Sequence, residues 1–177
     1  MILNTVTPAS WIEAFERSWP DTRGQFSELA DTLRFSRKKS QICFIGNGGS
    51  AAIASHMAID FFNKGKFLAR SFNDAAALTC ISNDYGYKSV FDMQVSRVLK
   101  HGDVLVAISS SGESENVVRA ANSARLICTV ATFSGFIAGN RLSRIGHFNF
   151  HVPSSNYGIV ETAHLGLLHA LLEAVTE

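Results

Sequence analysis

Residues 41–60 constrain the fold of this chain more than any other segment. An apolar run, residues 42–45, breaks at the glycine-rich residues 46–49 and passes directly into a helical pattern that opens on Ser50. A strand that ends in glycines before a helix lets the backbone approach a ligand closely, and the free N–H groups of the first helical turn attract anions. The segment therefore predicts a phosphate or anion site at this loop.

The helix that follows carries two polar side chains in an otherwise apolar, alanine-rich run. His56 and Asp60 are four residues apart, so both lie on one helix face. An imidazole and a carboxylate placed this way can bind one metal ion. A lone histidine on an apolar helix is more often a hydrogen-bonded core residue, and spacing alone leaves both interpretations open.

Apolar strands followed by helical patterns recur along the rest of the chain. Strands are predicted over residues 104–108, 126–132 and 148–152, helices over residues 88–99, 115–124 and 158–175, and a polar loop over residues 82–87. Strands that are apolar throughout and alternate with helices are typical of a parallel sheet covered on both faces. We therefore predict a flavodoxin-like, three-layer α/β/α sandwich with a mostly parallel sheet.

Two helices are expected before this α/β core. Ser10 and Glu13 fit a capping box, which predicts that a short helix starts there, and a second helix is predicted over residues 21–38. No linker or low-complexity tract divides the 177 residues. We therefore predict one domain, with an N-terminal helical segment over residues 1–39 and an α/β core over residues 40–177.

Charge and cysteine content argue against several classes of protein. The net charge of +1 lacks the basic excess that nucleic-acid binding needs. Cys43, Cys80 and Cys128 are an odd number without CxxC spacing, and are expected to be reduced core residues. No apolar run approaches the roughly 20 residues of a membrane span, and the N-terminus has no basic region before an apolar stretch. We expect a cytoplasmic protein that binds neither nucleic acid nor membrane.

A second strand–loop–helix unit is rich in serine. The strand over residues 104–108 runs directly into a loop whose hydroxyl groups belong to Ser109, Ser110, Ser111 and Ser114. Hydroxyl donors at a helix start favour an anion, and the absence of lysine and of a GxxxxGK[ST] pattern suits a phosphate monoester better than a nucleoside triphosphate. The alternative is a serine-rich turn in which Ser114 serves only as a helix N-cap.

The first loop also has an alternative interpretation. Gly46, Gly48 and Ala51 match the loose GxGxxA form of the dinucleotide-binding fingerprint. The acidic residue expected at the end of the next strand is not clearly placed, and a dinucleotide leaves the serine loop unexplained. A phosphate monoester is therefore the favoured ligand.

Several ordered motifs together resemble the sugar isomerase (SIS) domain family. They are GNGGS at residues 46–50, His56 with the acid Asp60, SNDYGY at residues 82–87, GDVL at residues 102–105 and ISSSGES at residues 108–114. Within this family the pattern is most similar to the phosphoheptose isomerases, which convert sedoheptulose 7-phosphate to D-glycero-D-manno-heptose 7-phosphate. The resemblance implies an SIS-type fold and a cytoplasmic aldose–ketose isomerase of heptose biosynthesis for lipopolysaccharide or capsule.

The resemblance also implies roles for individual residues. Those that match substrate contacts are Asn47, Gly48, Ser50, Asp84, Ser109, Ser110, Ser111 and Ser114. Those that match the ligands of one zinc ion per site are His56, Asp60, Glu161 and His169. Asp60 and His169 also match the groups that transfer protons, and Glu161 is a further candidate for a catalytic role. The family is typically a homotetramer with active sites built between subunits, and such contacts would bring Glu161 and His169 to the face that carries His56 and Asp60.

The chemistry of these side chains is compatible with isomerisation. An aldose–ketose isomerase needs a base that moves a proton between adjacent carbons and an electrophile that stabilises the enediol oxygen, and a carboxylate with a metal or imidazolium meets both needs. Asp60 stands where the family usually has glutamate, and Glu161 where it usually has glutamine. Because aspartate is one methylene shorter, Asp60 and Glu161 both remain candidates for the base.

Two non-catalytic functions are also compatible with an SIS-type fold. One is an adaptor that binds the bacterial replication initiator DnaA, but that relative lacks the acid in the central helix and the final histidine, which are Asp60 and His169 here. The other is a sugar-phosphate sensor, although this chain has no attached helix-turn-helix region. Asp60 and His169 favour the enzyme.

Overall fold

Five parallel strands form one sheet in the part of the chain that this computed structural model describes, residues 6–36 and 40–177. The strands are β1 (Gln41–Gly46), β2 (Leu68–Ser71), β3 (Val104–Ser109), β4 (Thr129–Ser134) and β5 (Phe148–His151). Their order is β2-β1-β3-β4-β5, and every neighbouring pair is parallel. This is a doubly wound sheet whose strand order reverses between β1 and β3.

Helices cover both faces of the sheet. They are α1 (Pro8–Arg17), α2 (Arg23–Ser36), α3 (Gly49–Asn63), α4 (Ala75–Tyr85), α5 (Asp92–Val98), α6 (Glu115–Arg125) and α7 (Tyr157–Thr176), with short 3-10 turns at Tyr87–Ser89 and Leu142–Arg144. Residues of α2, α3 and α7 form one hydrophobic core with the sheet, and residues of α5 and α6 form the other. The predicted three-layer sandwich is confirmed.

Strand β1 shows why its sequence is apolar throughout. Ile42 and Phe44 point into the core beneath α3 and α7, whereas Cys43 and Ile45 point into the core beneath α5 and α6. Because successive side chains of a strand point to opposite faces, a central strand of a covered sheet needs apolar residues at every position. Burial also raises the pKa of the Cys43 thiol to about 12, so this cysteine is an inert core residue.

Helix α7 is the core helix of one face. Nine of its residues are buried, and it packs against both α2 and α3. Its 20 residues are long and apolar enough to cross a membrane, yet half of that stretch is buried inside the fold. Its apolar character therefore follows from packing on the sheet.

The start of the first helix differs from the predicted one. Thr7, one residue before Pro8, is the N-cap: its hydroxyl oxygen accepts a hydrogen bond from the Ser10 amide at 3.2 Å, and Ser10 Oγ accepts one from the Thr7 amide at 3.0 Å. The capping box predicted at Ser10 and Glu13 is therefore wrong, because Ser10 occupies its third helical position. The predicted basic end of the second helix, residues 37–39, lies outside the described residues.

Three further predictions are corrected by the structure. Residues 82–85, predicted as loop, form the last turn of α4, which ends at Gly86 with φ of 81°. The strand predicted over residues 126–132 starts three residues later, at Thr129, after an exposed Leu126. Cys80 lies exposed on α4 and is not a core residue. In each case a short local run of polar or apolar residues did not indicate the end of the element or the burial of the side chain.

His164 on α7 is buried without charge. Its side chain has no exposed surface, its Nε2 contacts the Ser134 carbonyl oxygen at 3.0 Å, and its Nδ1 has no hydrogen-bond partner among the described residues. Burial lowers the pKa of His164 to about 4. The neutral imidazole therefore donates from Nε2 and ties α7 to the end of β4.

This histidine makes stability depend on pH. The pKa of His164 is near 6.5 in the unfolded chain and about 4 in the folded chain. Between these two pH values the unfolded state binds one more proton at His164 than the folded state does. Lowering the pH therefore destabilises the fold. For His164 alone, the free energy of unfolding falls by about 2 kcal/mol between pH 7 and pH 5. In His164→Gln, whose amide can donate to the same carbonyl but does not titrate, urea unfolding should no longer show this loss.

The matched control is His101→Gln, which removes an exposed histidine. This variant should keep the wild-type difference between the two pH values. If His164→Gln also keeps it, His164 is not the residue that couples protonation to folding.

Candidate active site

A cleft of about 240 Å³ opens at the carboxyl ends of β1 and β3. The residues that line it are Asn47, Gly48, Gly49, Ser50, Ser109, Ser110, Ser111, Ser114, Tyr157 and Glu161. Since β1 and β3 are neighbours at the point where the strand order reverses, both predicted anion-binding loops leave the sheet at one place. Ligands of open α/β sheets bind at such a point.

The serine loop presents hydroxyl groups to this cleft. Ser110 Oγ is buried and has no hydrogen-bond partner among the described residues. Ser109 Oγ donates to Ser114 Oγ at 3.2 Å, and the Ser114 side chain makes no capping hydrogen bond although Ser114 is the N-cap of α6. A buried hydroxyl without a partner is costly unless a ligand or water pairs with it. The loop is therefore more than a helix cap.

The loop that contains Gly135 and Asn140 packs against the serine loop and fixes its backbone conformation. The buried Asn140 amide donates to the Gly135 carbonyl oxygen at 3.0 Å, and the Gly135 amide donates to the Ser110 carbonyl oxygen at 2.9 Å. Gly112 has φ of 68°, and a Cβ at this position would overlap the Asn140 side chain. Only glycine therefore fits the turn between Ser111 and Ser114.

The first loop places a carboxylate at the start of α3. Gly48 is the helix N-cap with φ of 55°, a conformation that side chains rarely adopt. A Cβ built on Gly49 would lie 2.5 Å from both carboxylate oxygens of Glu161, so Glu161 packs directly on this backbone. The positive end of the helix dipole stabilises a carboxylate there. Glu161 is the one carboxylate that lines the cleft within residues 6–36 and 40–177.

The volume of the cleft indicates the size of the ligand that the first loop can help to bind. Drug-sized ligands fill pockets of roughly 300–1,000 Å³, and this cleft of about 240 Å³ is smaller. This size suits a small polar ligand.

A second group of polar side chains lies where α3 packs on α7. His56 Nε2 lies 3.5 Å and His169 Nδ1 lies 3.9 Å from Asp60 Oδ2. The three ligand atoms are all within 4.8 Å of one another, and the two imidazole rings are 5.2 Å apart between centroids. Ligands of a tetrahedral zinc ion lie about 2.0–2.2 Å from the metal, hence roughly 3.4 Å from one another. The three side chains would hold a metal ion if their ligand atoms moved closer together.

This cluster forms within one chain. The family resemblance led us to expect that subunit contacts bring His169 to His56 and Asp60, but the packing of α7 on α3 is sufficient. Glu161 precedes His169 by eight residues, about 12 Å along the helix, and is not in the metal-ligand cluster of the described residues. The structure thus groups three of the four candidate ligands and places Glu161 in the cleft.

Asp84 lies apart from the other candidate substrate contacts. It is on the last turn of α4, exposed, and its carboxylate accepts hydrogen bonds from Asn83 Nδ2 at 2.9 Å and from Cys80 Sγ at 3.7 Å. It does not line the cleft of its own chain. Asn47, Gly48, Ser50 and the four serines of the second loop all do.

Sequence reasoning missed two residues of the site. Tyr157 lines the cleft one helical turn before Glu161, and the i,i+4 spacing of the two was the available signal. Asn116, buried at the start of α6, forms a reciprocal hydrogen-bonded pair with Asn47. No pattern in the sequence identifies Asn116, since its partner is 69 residues away.

Comparison with known proteins gives consistent matches over most of the chain. Residues 21–130 match the model of the SIS domain. The chain is 36% identical over 175 residues to the phosphoheptose isomerase of Aquifex aeolicus, covering 95% of this chain and 88% of the relative. It is 38% identical over 156 residues to that of Campylobacter concisus, covering 84% of this chain and 80% of the relative.

A solved structure agrees with these sequence matches. The phosphoheptose isomerase of Neisseria gonorrhoeae superimposes with a TM-score of 0.84 and 30% sequence identity, covering 94% of each chain. The similarity therefore extends over nearly the whole fold.

The geometry of His56, Asp60 and His169 predicts binding of a divalent metal. We expect the purified protein to bind zinc or cobalt, and Asp60→Asn to weaken this binding by at least tenfold because a charged ligand is lost. Competition with a chromophoric chelator measures the affinity. The control is Glu173→Gln, which neutralises an exposed carboxylate paired with Lys64 on the same two helices. Equal metal affinity in both variants would contradict this assignment.

Proposed function

Because this chain belongs to the SIS domain family and is a sugar-phosphate isomerase, we propose that it converts sedoheptulose 7-phosphate to D-glycero-D-manno-heptose 7-phosphate. Its phosphoheptose isomerase relatives are aldose–ketose isomerases, and so is this chain. The observation that carries the choice of substrate class is the cleft, in which two anion-binding loops meet one carboxylate. A cytoplasmic enzyme of heptose biosynthesis for lipopolysaccharide or capsule fits this activity.

In this proposal the serine loop and the start of α3 bind the phosphate. Ser109, Ser110, Ser111 and Ser114 supply neutral hydroxyl donors, and the first turns of α3 and α6 add backbone amides and the positive ends of two helix dipoles. In this proposal, neutral hydroxyl and amide donors, and not a lysine, bind the phosphate monoester. The unpaired Ser110 hydroxyl is the strongest local support, because a phosphate oxygen would complete its hydrogen bonding.

We further propose that Glu161 is the general base. It removes a proton from C1 of the ketose while the C2 carbonyl oxygen gains one, which gives the enediol. Return of the proton to C2 and loss of the O1 proton then give the aldose. Glu161 lines the cleft, whereas Asp60 lies between two imidazoles, and this difference in position favours Glu161.

Asp60 has a different role in this scheme. With His56 and His169 it would hold one zinc ion, which would supply a positive charge to sugar oxygens that reach this cluster. The donor set of two imidazoles and one carboxylate suits zinc. His169 is the proposed partner for proton exchange with the sugar oxygens.

Assembly into a homotetramer is part of the proposal. Asp84 is exposed on α4 and lies outside the cleft of its own chain, so a contact between this residue and the sugar would require a neighbouring subunit. Ile59 and Phe62 on α3 are half-exposed apolar side chains, and a neighbouring subunit would cover them.

Isomerisation is tested by proton NMR of sedoheptulose 7-phosphate in deuterated buffer with zinc-loaded protein. An aldose signal and deuterium next to the carbonyl are expected for the wild type. Glu161→Gln should slow the exchange by roughly 10²–10⁴-fold, the usual contribution of a general base. His169→Ala and Asp60→Asn should also lose activity, and Asp60→Asn should in addition lose metal.

Different outcomes of this experiment test the identity of the base and the isomerase activity. If Glu161→Gln exchanges deuterium at the wild-type rate while metal-loaded Asp60→Asn does not, Asp60 is the base. If the wild type binds this and other ketose phosphates but exchanges no proton, the protein is a sensor or an adaptor of the same fold and the isomerase proposal fails.

A further inference from the structure

The side chain of Asn47 is held on both of its polar atoms. Asn47 Nδ2 donates to Asn116 Oδ1 at 2.8 Å, and Asn116 Nδ2 donates back to Asn47 Oδ1 at 2.9 Å. Asn116 is only 3% exposed, so water does not compete with this pair. The loop after β1 is thereby joined to the helix that follows the serine loop.

A backbone group determines which way both amides point. The Val117 N–H donates to Asn116 Oδ1 at 3.0 Å, and a backbone N–H can only donate. The atom it contacts must therefore be the oxygen of Asn116, which puts Asn116 Nδ2 opposite Asn47 and requires the oxygen of Asn47 there. The orientation of Asn47 thus follows from the geometry of the first turn of α6.

This orientation leaves Asn47 with a donor and no free acceptor. Its Oδ1 accepts a second hydrogen bond from the Tyr87 hydroxyl at 2.9 Å, and a carbonyl oxygen has two lone pairs. Its Nδ2 uses one N–H for Asn116, and the other has no partner among the described residues. Because Asn47 lines the cleft, the group it presents to a ligand is an N–H.

We propose that Asn116 is a positioning residue that makes Asn47 an obligate hydrogen-bond donor to the sugar part of the substrate. The inference rests on the proposed function, since it takes the ligand of the cleft to be a sugar phosphate. Asn47 then selects a carbonyl or hydroxyl oxygen that accepts a hydrogen bond at this point. Asn116 does not touch the ligand and acts only through Asn47.

The test compares two ligands in binding experiments. In Asn116→Asp, one carboxylate oxygen still accepts from the Val117 amide, but the other faces Asn47 Oδ1, so repulsion between two oxygens replaces one hydrogen bond of the pair and the Asn47 amide is no longer held in place. We expect the Kd for sedoheptulose 7-phosphate, measured by titration calorimetry, to rise roughly tenfold or more. The Kd for inorganic phosphate, which the serine loop binds, should change by less than about threefold.

Two further variants complete the design. In Asn116→Ser, the serine side chain is too short to reach Asn47, so this variant should weaken sugar-phosphate binding selectively. It keeps the test valid if Asn116→Asp does not fold. Asn122→Asp makes the same change at an exposed position of α6 and should leave both Kd values as in the wild type. Thermal unfolding of each variant identifies any general loss of structure.

The outcomes distinguish this inference from the proposed function. If either Asn116 variant folds and keeps the wild-type ratio of the two Kd values, the inference is overturned. Equal wild-type affinity for sedoheptulose 7-phosphate and inorganic phosphate would overturn it as well. If the wild type binds the sugar phosphate without converting it and the variants lose that preference, isomerisation fails while the role of Asn116 stands.

Discussion

The pairing of β1 with β3 is the contact on which the site depends. Parallel neighbours end at the same edge of the sheet, so the glycine loop after β1 and the serine loop after β3 open side by side. Each loop also starts a helix, and the two helices lie on opposite faces of the sheet, α3 above one core and α6 above the other. Two helix N-termini and a set of hydroxyls therefore converge on one small cleft from both layers.

Helix α7 adds the acid–base groups to this frame. Its apolar face packs on α3 in the core, which places Glu161 against Gly49 at one end and His169 beside Asp60 about two turns later. One helix–helix contact thus supplies both a carboxylate to the cleft and a ligand to the candidate metal group. Asp60 and Glu161, the two acids considered for the base, therefore face different surroundings: Asp60 lies between two imidazoles, and Glu161 lies at the glycine loop.

Buried polar side chains hold the loops in these positions. Asn140 supports the serine loop from behind, Asn116 orients Asn47, and His164 joins α7 to the end of β4. Such groups are stable in a protein interior only when their hydrogen bonds are made, so each of them specifies a single local geometry. The Ser110 hydroxyl lines the cleft without a partner among the described residues, and a ligand would pair with it there.

The sequence by itself determined the layered α/β fold, the two loops and most residues of the site, because apolar strands, glycine turns and helical spacing are local signals. It misplaced the first helix cap and the start of β4, and it took the last turn of α4 for a loop, because Thr7 and Ser10 are both good N-cap residues and short polar or apolar runs do not fix the ends of elements. Only the tertiary structure decided that His169 meets His56 and Asp60 within one chain, that Glu161 enters the cleft, and that Asn116 orients Asn47. These are contacts between residues far apart in the chain, and their geometry depends on how whole helices pack.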